Sequence, residues 1–283
     1  MLKKIRVIVA LLFAAAVTLL FLDYTGTVHA YLGWCAKVQF VPAVFDVNIV
    51  IVAAILLITL LFGRVYCSAL CPLGVFQDAV SWTAGLFKKG RFSYRPTKTA
   101  PVIARFVLLG IFVILALLTA IFNTPPLAAL IEPYSAYGRV ASQLFAPLYK
   151  YGNNILAYFS ERAGSYSFYT VDVWLTGAGA FIIAVLTFIT VGVFAWMGGR
   201  GYCNTICPVG AVLGLISKFS IIKHRIDKNR CVNCGVCIKY CKAGCIDPVN
   251  KDIDYSRCVS CFNCTGHCSR EAIRYTTSAG MKK

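Results

Sequence analysis

The sequence predicts an α-helical integral membrane protein, four spans arranged as two repeated pairs, with a small α+β module at its C-terminal end. Three observations predict it: an apolar composition with the charges gathered into short segments, a twelve-residue motif that occurs twice, and eight cysteines in two nested runs.

Of the 283 residues, 59% are hydrophobic and only 14% charged, which leaves too little polar surface to keep such a chain dissolved. Four apolar stretches, charged only at Arg105 near the start of the third, stand out: Val7–Leu22, Val47–Phe62, Val102–Phe122 and Val173–Met197. Each approaches the roughly 20 residues that a spanning helix needs. The first two are short and lean on Arg6 and Arg64 snorkelling at their ends. In a soluble protein the net charge of +17 would suggest nucleic acid as a partner. Here its placement decides. With the N-terminus inside, the inner segments hold 24 of the 28 Lys and Arg residues, and the outer ones only Lys37, Arg139, Lys150 and Arg162. Basic residues concentrate on the cytoplasmic side of membrane proteins. The charge therefore predicts a multi-pass protein of a bacterial cytoplasmic membrane with both termini inside, in contact with lipid and not with nucleic acid. A competing reading of the N-terminus exists. Lys3, Lys4 and Arg6, an apolar run and Val28-His29-Ala30 imitate a cleavable signal peptide, whose loss would leave three spans in the same orientation.

Residues 63–74 and 199–210 share the pattern G-R-x-Y-C-x-x-x-C-P-x-G. Each copy follows the second helix of a pair, so the unit helix, outer loop, helix, cysteine motif is built twice. Residues 1–98 form the first repeat and 99–222 the second, with a cytoplasmic module over 223–283. The outer segment 123–172 is long, aromatic and lightly charged, and reads as amphipathic helices on the periplasmic face. The stretches after each motif, 75–87 and 211–222, read either as interfacial helices or as cytoplasmic loops.

Thirteen of the fourteen cysteines fall in segments assigned to the cytoplasmic side, where thiols stay reduced. Metal or redox work explains them better than disulfides do. The C-terminal module reads Cys231-x2-Cys234-x2-Cys237-x3-Cys241, then Cys258-x2-Cys261-x2-Cys264-x3-Cys268. This is bacterial two-cluster ferredoxin spacing, in which the fourth cysteine of each run ligates the other cluster. It predicts one [4Fe–4S] cluster on Cys231, Cys234, Cys237 and Cys268, and a second on Cys258, Cys261, Cys264 and Cys241. Lys242 and Ser269 stand where a proline commonly follows the fourth cysteine. Cys245 is extra and reads as a small packing residue.

Cys67 and Cys71, like Cys203 and Cys207, are spaced i and i+4, which on a helix puts both thiols of a pair on one face. If the repeats pack about a pseudo-twofold axis, the four thiols converge. They could then hold a further iron–sulfur centre or another soft metal, or work as paired dithiols. Alternatively they are packing residues at helix ends, with Pro72 and Pro208 as terminators.

In these residues the chain resembles the NapH/MauN-type membrane ferredoxins, the quinol dehydrogenase membrane subunits. The resemblance rests on Cys67-Ser68-Ala69-Leu70-Cys71-Pro72-Leu73, on residues 203–211, on the two C-terminal cysteine runs and on the segment 132–139. It implies an electron-transfer subunit of an oxidoreductase system that oxidises quinol from the membrane pool and passes electrons to an iron–sulfur or periplasmic redox partner. Arg139, with Tyr134 and Tyr137, then becomes a candidate quinone headgroup site. A snorkelling arginine among interfacial tyrosines has the same signature. The alternative function is a copper-type metal reductase or a redox maturation factor that uses the paired Cys-x-x-x-Cys-Pro cysteines.

Overall fold

The computed structural model describes residues 1–87, 92–94, 99–122, 127–165, 167–174 and 177–277. Helix α1 (Leu2–Leu22) leads through three short helices, α2 (Thr27–Leu32), α3 (Trp34–Lys37) and α4 (Phe40–Phe45), to α5 (Ile49–Phe62). Asn48 starts α5 by accepting from the Ile51 amide at 3.3 Å, an N-cap. Gly63 ends it at φ 73°, a left-handed turn that glycine takes without steric cost. The first motif follows as α6 (Val65–Ala69) and α7 (Pro72–Phe87).

The second repeat starts with α8 (Thr99–Phe122). A 3-10 turn, α9 (Pro133–Val140), a π turn at Ala141–Phe145 and α10 (Ala146–Arg162) lead to α11 (Ala178–Gly198). The second motif then repeats the first: Gly199 at φ 67°, α12 (Gly201–Thr205) and α13 (Pro208–Ser217). The stretches after both cysteine motifs are thus helical.

Among the described residues, α1 and α11 are long and apolar enough to cross a bilayer, each with 21 residues and with hydropathies of 2.7 and 2.4. Most of their apolar side chains point away from the protein, as lipid-facing residues do. Helix α5 has 14 residues, about 21 Å at 1.5 Å per residue and short of a roughly 30 Å core. Helix α8 has 24 residues, about 36 Å at 1.5 Å per residue.

The outer segment of the second repeat departs from the sequence reading. Only its second half lies open. The face of α9 formed by Ala136, Tyr137 and Val140 is buried, with Ala141 beyond it. The helix packs on α7 and α11, and Tyr137 reaches Thr18 of α1 (Oη–Oγ1 2.5 Å). Small residues permit this: a Cβ on Gly138 would lie 2.6 Å from the Phe21 ring. Close packing of small side chains, which an amphipathic average cannot register, brings the segment inward.

The C-terminal module has two antiparallel ribbons, β1 (Lys223–Ile226) with β4 (Ile273–Thr276) and β2 (Ile246–Asp247) with β3 (Asp252–Ile253). Two single-turn helices, α14 (Val236–Lys239) and α15 (Asn263–Gly266), complete it. The chain enters it along the end of α5, where the Ile221 and Ile222 amides donate to Leu60 and Leu61 carbonyls at 3.0 and 2.9 Å. Tyr275 Oη and Ser260 Oγ both donate to the Phe62 carbonyl. The module is docked on the helices and does not hang from a linker.

Candidate functional site

Each fixed position of the repeated motif has a structural task. The glycine makes the left-handed turn. The arginine that follows is fully buried and crosses to the other repeat: Arg200 Nη1 donates to the Cys67 carbonyl at 2.5 Å, and Arg64 Nη2 to the Cys203 carbonyl at 3.3 Å. The tyrosines reach the outer segments, Tyr66 Oη between Gln39 Oε1 (2.8 Å) and the Phe40 amide (2.9 Å), Tyr202 Oη onto the Ile131 carbonyl (2.9 Å). The proline opens the next helix at its first turn, where it has no hydrogen bond to break; it starts α7 and α13 and terminates nothing. The last glycine makes room for the crossing arginine. A Cβ on Gly74 would meet Arg200 Nη1 at 2.5 Å, and one on Gly210 would meet Arg64 Nη2 at 2.9 Å.

The two cysteines of a pair do not share one helix. Cys67 and Cys203 sit in α6 and α12, while Cys207 caps α13, its sulfur accepting from the Gly210 amide at 3.3 Å. Cys71 stands likewise against the Gly74 amide. All four are buried, and they meet across the pseudo-twofold. Burial pushes the Cys71, Cys203 and Cys207 thiols up, and mutual repulsion among the four sulfurs adds to it. Around them are buried donors without partners, Arg64 Nε and Arg200 Nη2. Gln77 Nε2 donates to Cys203 Sγ at 3.1 Å and Arg64 Nη2 lies 3.9 Å from Cys67 Sγ. Four buried sulfurs with N–H donors on Arg64, Gln77 and Arg200 beside them fit an anionic thiolate-ligated centre, which accepts hydrogen bonds at its sulfurs.

In the C-terminal module, Cys231, Cys234, Cys237 and Cys268 line one cavity. Cys241, Cys258, Cys261 and Cys264 line a second, beside Cys245 and His224. Each cavity thus gathers the four cysteines that the spacing grouped together. The backbone repeats as well. Asn233 and Gly235 in the first loop, and Ser260 and Phe262 in the second, all have positive φ. Left-handed residues of this kind cost about 1 kcal/mol or more outside glycine, and turn amides and sulfurs inward around a bound anion. Burial pushes the Cys237 thiol up to about 11, and Cys231, Cys234 and Cys268 push the same way. Both cavities fit [4Fe–4S] clusters, whose chemistry when bound is one-electron transfer. Cys245 does more than pack: its sulfur lies 3.5 Å from Cys241 Sγ.

Sequence reasoning missed the residue that ties these parts together. Asp78 of α7 is buried and pairs with Arg6 of α1 (2.9 Å), Arg200 of the second motif (2.9 Å) and Lys242, next to Cys241 (3.2 Å). Burial pushes its carboxyl up, but Arg200, Lys242 and Arg6 outweigh this and hold it below the usual carboxylate range. Lys242 is the residue that replaces the common proline, which gives that departure a reason. The second cysteine loop is fastened similarly. Arg64 Nη1 donates to the Ser256 carbonyl at 2.9 Å, Arg105 of α8 to the same oxygen at 3.3 Å, and Arg6 to the Cys261 carbonyl at 3.5 Å. Val259 packs in the same core as Cys67, Cys71 and Cys207.

Of the candidate quinone residues, Arg139 donates to the Ala129 and Leu130 carbonyls at 2.7 and 2.9 Å. Tyr137 holds Thr18, and Tyr134 packs on Phe21 with ring centroids 5.4 Å apart. The three lie on one helix, with two of their polar groups already engaged.

A family described as "4Fe-4S binding domain" matches residues 47–91 and 174–229. These segments hold the two copies of the motif with Cys67, Cys71, Cys203 and Cys207, and the match ends before Cys231. Relatives are the putative electron transport protein YccM of Escherichia coli, 27% identical over 71% of this chain and 47% of its own length, and the ferredoxin-type protein NapH of the same organism, 26% identical over 65% and 51%. The methylamine utilization ferredoxin-type protein MauN of Methylobacillus flagellatus is 21% identical over 63% and 48%. The chain is similar to the NapH/MauN-type 4Fe–4S ferredoxins. It spans about half the length of the curated relatives it matches. No solved structure matches it. These relatives carry the names of electron transport and ferredoxin-type proteins, and the two spanning-length helices of this chain suggest membrane association.

Proposed function

We propose that this chain is a membrane-bound iron–sulfur wire that passes electrons between the quinone pool and an iron–sulfur or periplasmic redox partner. In this reading it crosses a bacterial cytoplasmic membrane four times, with both termini and the C-terminal module inside. Cys67, Cys71, Cys203 and Cys207 hold a [4Fe–4S] centre at the join of the repeats. Cys241, Cys258, Cys261 and Cys264 hold a second centre next to it. Cys231, Cys234, Cys237 and Cys268 hold the third, which has the most exposed cysteine, Cys234, and faces the partner.

The observation that carries this reading is the docking of the second cysteine loop onto the membrane motifs. Arg64 touches Cys67 Sγ, the Cys203 carbonyl and the Ser256 carbonyl at once, so one side chain spans from the first set of thiols to the loop of the second. Three centres in sequence also give a reason for twelve cysteines where a ferredoxin alone uses eight.

The test is anaerobic purification with iron and sulfide analysis, then a redox titration followed by electron paramagnetic resonance with a quinol analogue as reductant. Three clusters give about 12 iron atoms per chain, and Cys67→Ser or Cys203→Ser about 8. Potentials far below the quinone couple, or no cluster reduction by quinol, would remove the quinol-oxidising version. An unchanged iron content in both variants would remove the membrane centre.

A further inference from the structure

A cavity of about 590 Å³ lies between α1, α7 and the C-terminal module. Leu11, Ala79 and Trp82 line it and are also exposed on the outer surface. Its polar lining includes Lys3, Arg6, Asp78, Ser81, Lys242 and His267. The lining is therefore amphipathic, and Leu11 belongs to the face of α1 that would lie in lipid.

Two polar side chains in its wall are more than nine-tenths buried and hold an atom with no hydrogen-bond partner: Arg6 Nε and Ser81 Oγ. Such groups cost about 1–3 kcal/mol each when left unpaired, so they mark a place where a ligand atom belongs. His267 adds a third. Its Nδ1 lies 2.8 Å from the Asn263 carbonyl and must donate there, which leaves Nε2 as an acceptor. Its ring is fixed by stacking on Tyr240, with centroids 3.7 Å apart. The wall thus offers a donor, a hydroxyl that can do either, and an acceptor.

Charge favours a ligand that gains electron density. Asp78 is shared by Arg6 at 2.9 Å and Lys242 at 3.2 Å and Lys3 lines the same wall, so the wall is net positive and suits carbonyl oxygens that take up negative charge on reduction. Position selects for a redox ligand. Lys242 follows Cys241, Asn263 precedes Cys264, His267 precedes Cys268, and Arg6 donates to the Cys261 carbonyl at 3.5 Å. Much of the polar wall is thus sequence-adjacent to the cysteines of the C-terminal module.

We infer that this cavity is a quinone-binding site: the quinone ring sits against Arg6 Nε, Ser81 Oγ and His267 Nε2, and the isoprenoid tail leaves along Leu11 and Trp82. The inference rests on the quinone-linked reading above and places the headgroup next to the C-terminal module, away from Arg139, Tyr134 and Tyr137.

The test uses the intact, cluster-loaded protein and a photoreactive azido-ubiquinone, with label sites mapped by mass spectrometry. Labelling of residues 7–11 and 79–82, displaced by decylubiquinone, is the expected result. Ala79→Phe, which adds bulk to the lining from an exposed position, and Ser81→Ala, which removes a headgroup partner, should each weaken binding about tenfold or more with unchanged iron content. Label confined to residues 134–139 would overturn the placement and leave the quinone-linked reading standing. Quinol reduction of the clusters that neither variant alters would do the same. Displacement of the label by phosphatidylglycerol but not by decylubiquinone would make the cavity a lipid site. No label anywhere, with no quinol reduction, would remove both inferences.

Discussion

Replacing Asp78 by Asn keeps the shape of the side chain but removes the one charge that three buried or half-buried cations share. Arg6, Arg200 and Lys242 lie 2.9, 2.9 and 3.2 Å from its oxygens. Each contact is worth about 4 kcal/mol of gross attraction at an effective dielectric of 20, most of it offset by desolvation. Removing one partner of a buried pair costs about 3–5 kcal/mol, because the remaining charges stay buried. At about 2–4 °C per kcal/mol for a chain of this size, the variant should melt roughly 6–20 °C below wild type. The assay is thermal unfolding of detergent-solubilised, cluster-loaded protein. The pH dependence gives an independent check. A carboxyl whose folded value is depressed contributes stability that is fully present above its unfolded value of about 3.9 and is lost as pH falls through the folded value. The gap between wild type and Asp78→Asn should therefore be constant from pH 5 to 8 and close only below about pH 4. A second variant, Lys242→Met, should make Asp78→Asn less costly, since one uncompensated cation is gone. Melting within about 1 °C of wild type, or a gap that changes between pH 5 and 8, would refute the reasoning.

Gly74→Ala and Gly210→Ala each force a Cβ against a crossing arginine and the carbonyl of a motif cysteine, so each should cost about 1–3 kcal/mol and lower the melting temperature; unchanged melting would mean the arginines do not cross. Tyr66→Phe strands the Phe40 amide and Gln39, whereas Tyr202→Phe strands one carbonyl. The first should be the more destabilising, by about 1 kcal/mol or more, as read by chemical denaturation. His224 is buried in the second cavity with neither ring nitrogen partnered, placed to donate an N–H to the group held there. His224→Phe should lower that centre's midpoint potential with iron content unchanged; an unaltered potential would make His224 a packing residue only.

The repeat and the cysteine runs were legible in the sequence because each rests on fixed residue types at fixed spacing. The convergence of Cys67, Cys71, Cys203 and Cys207 was legible too, as a consequence of duplication, although the geometry differs: each pair straddles a break between helices. Other features were not. Asp78 is a single acid in an apolar stretch, and nothing local says that its partners come from positions 6, 200 and 242. Arg6 and Arg64 looked like snorkelling residues at the ends of spans, since sequence cannot tell a guanidinium that turns to solvent from one that turns inward. Segment 133–145 has near-balanced polarity, so only the fit of Gly138 against Phe21 shows that it packs inside. The cavity forms between α1, α7 and a module more than 150 residues away, and no window along the chain contains it.

The crossing arginines have a consequence for how the molecule came to be built. Each repeat receives the other's guanidinium at the equivalent carbonyl, residue i on j and j on i, which is the isologous contact of a twofold dimer. Residues 63–74 and 199–210 thus behave as two protomers joined by a covalent tether, neither able to close the site alone. The pseudo-symmetry is not complete. The position that matches Asp78 is Gly214, where a Cβ would run into Arg105 and the Ser256 carbonyl. One protomer carries a carboxylate beside an open chamber, and the other is sealed by an arginine. Duplication supplied the two halves of a buried thiol site, and divergence at this pair of positions left a chamber beside one half.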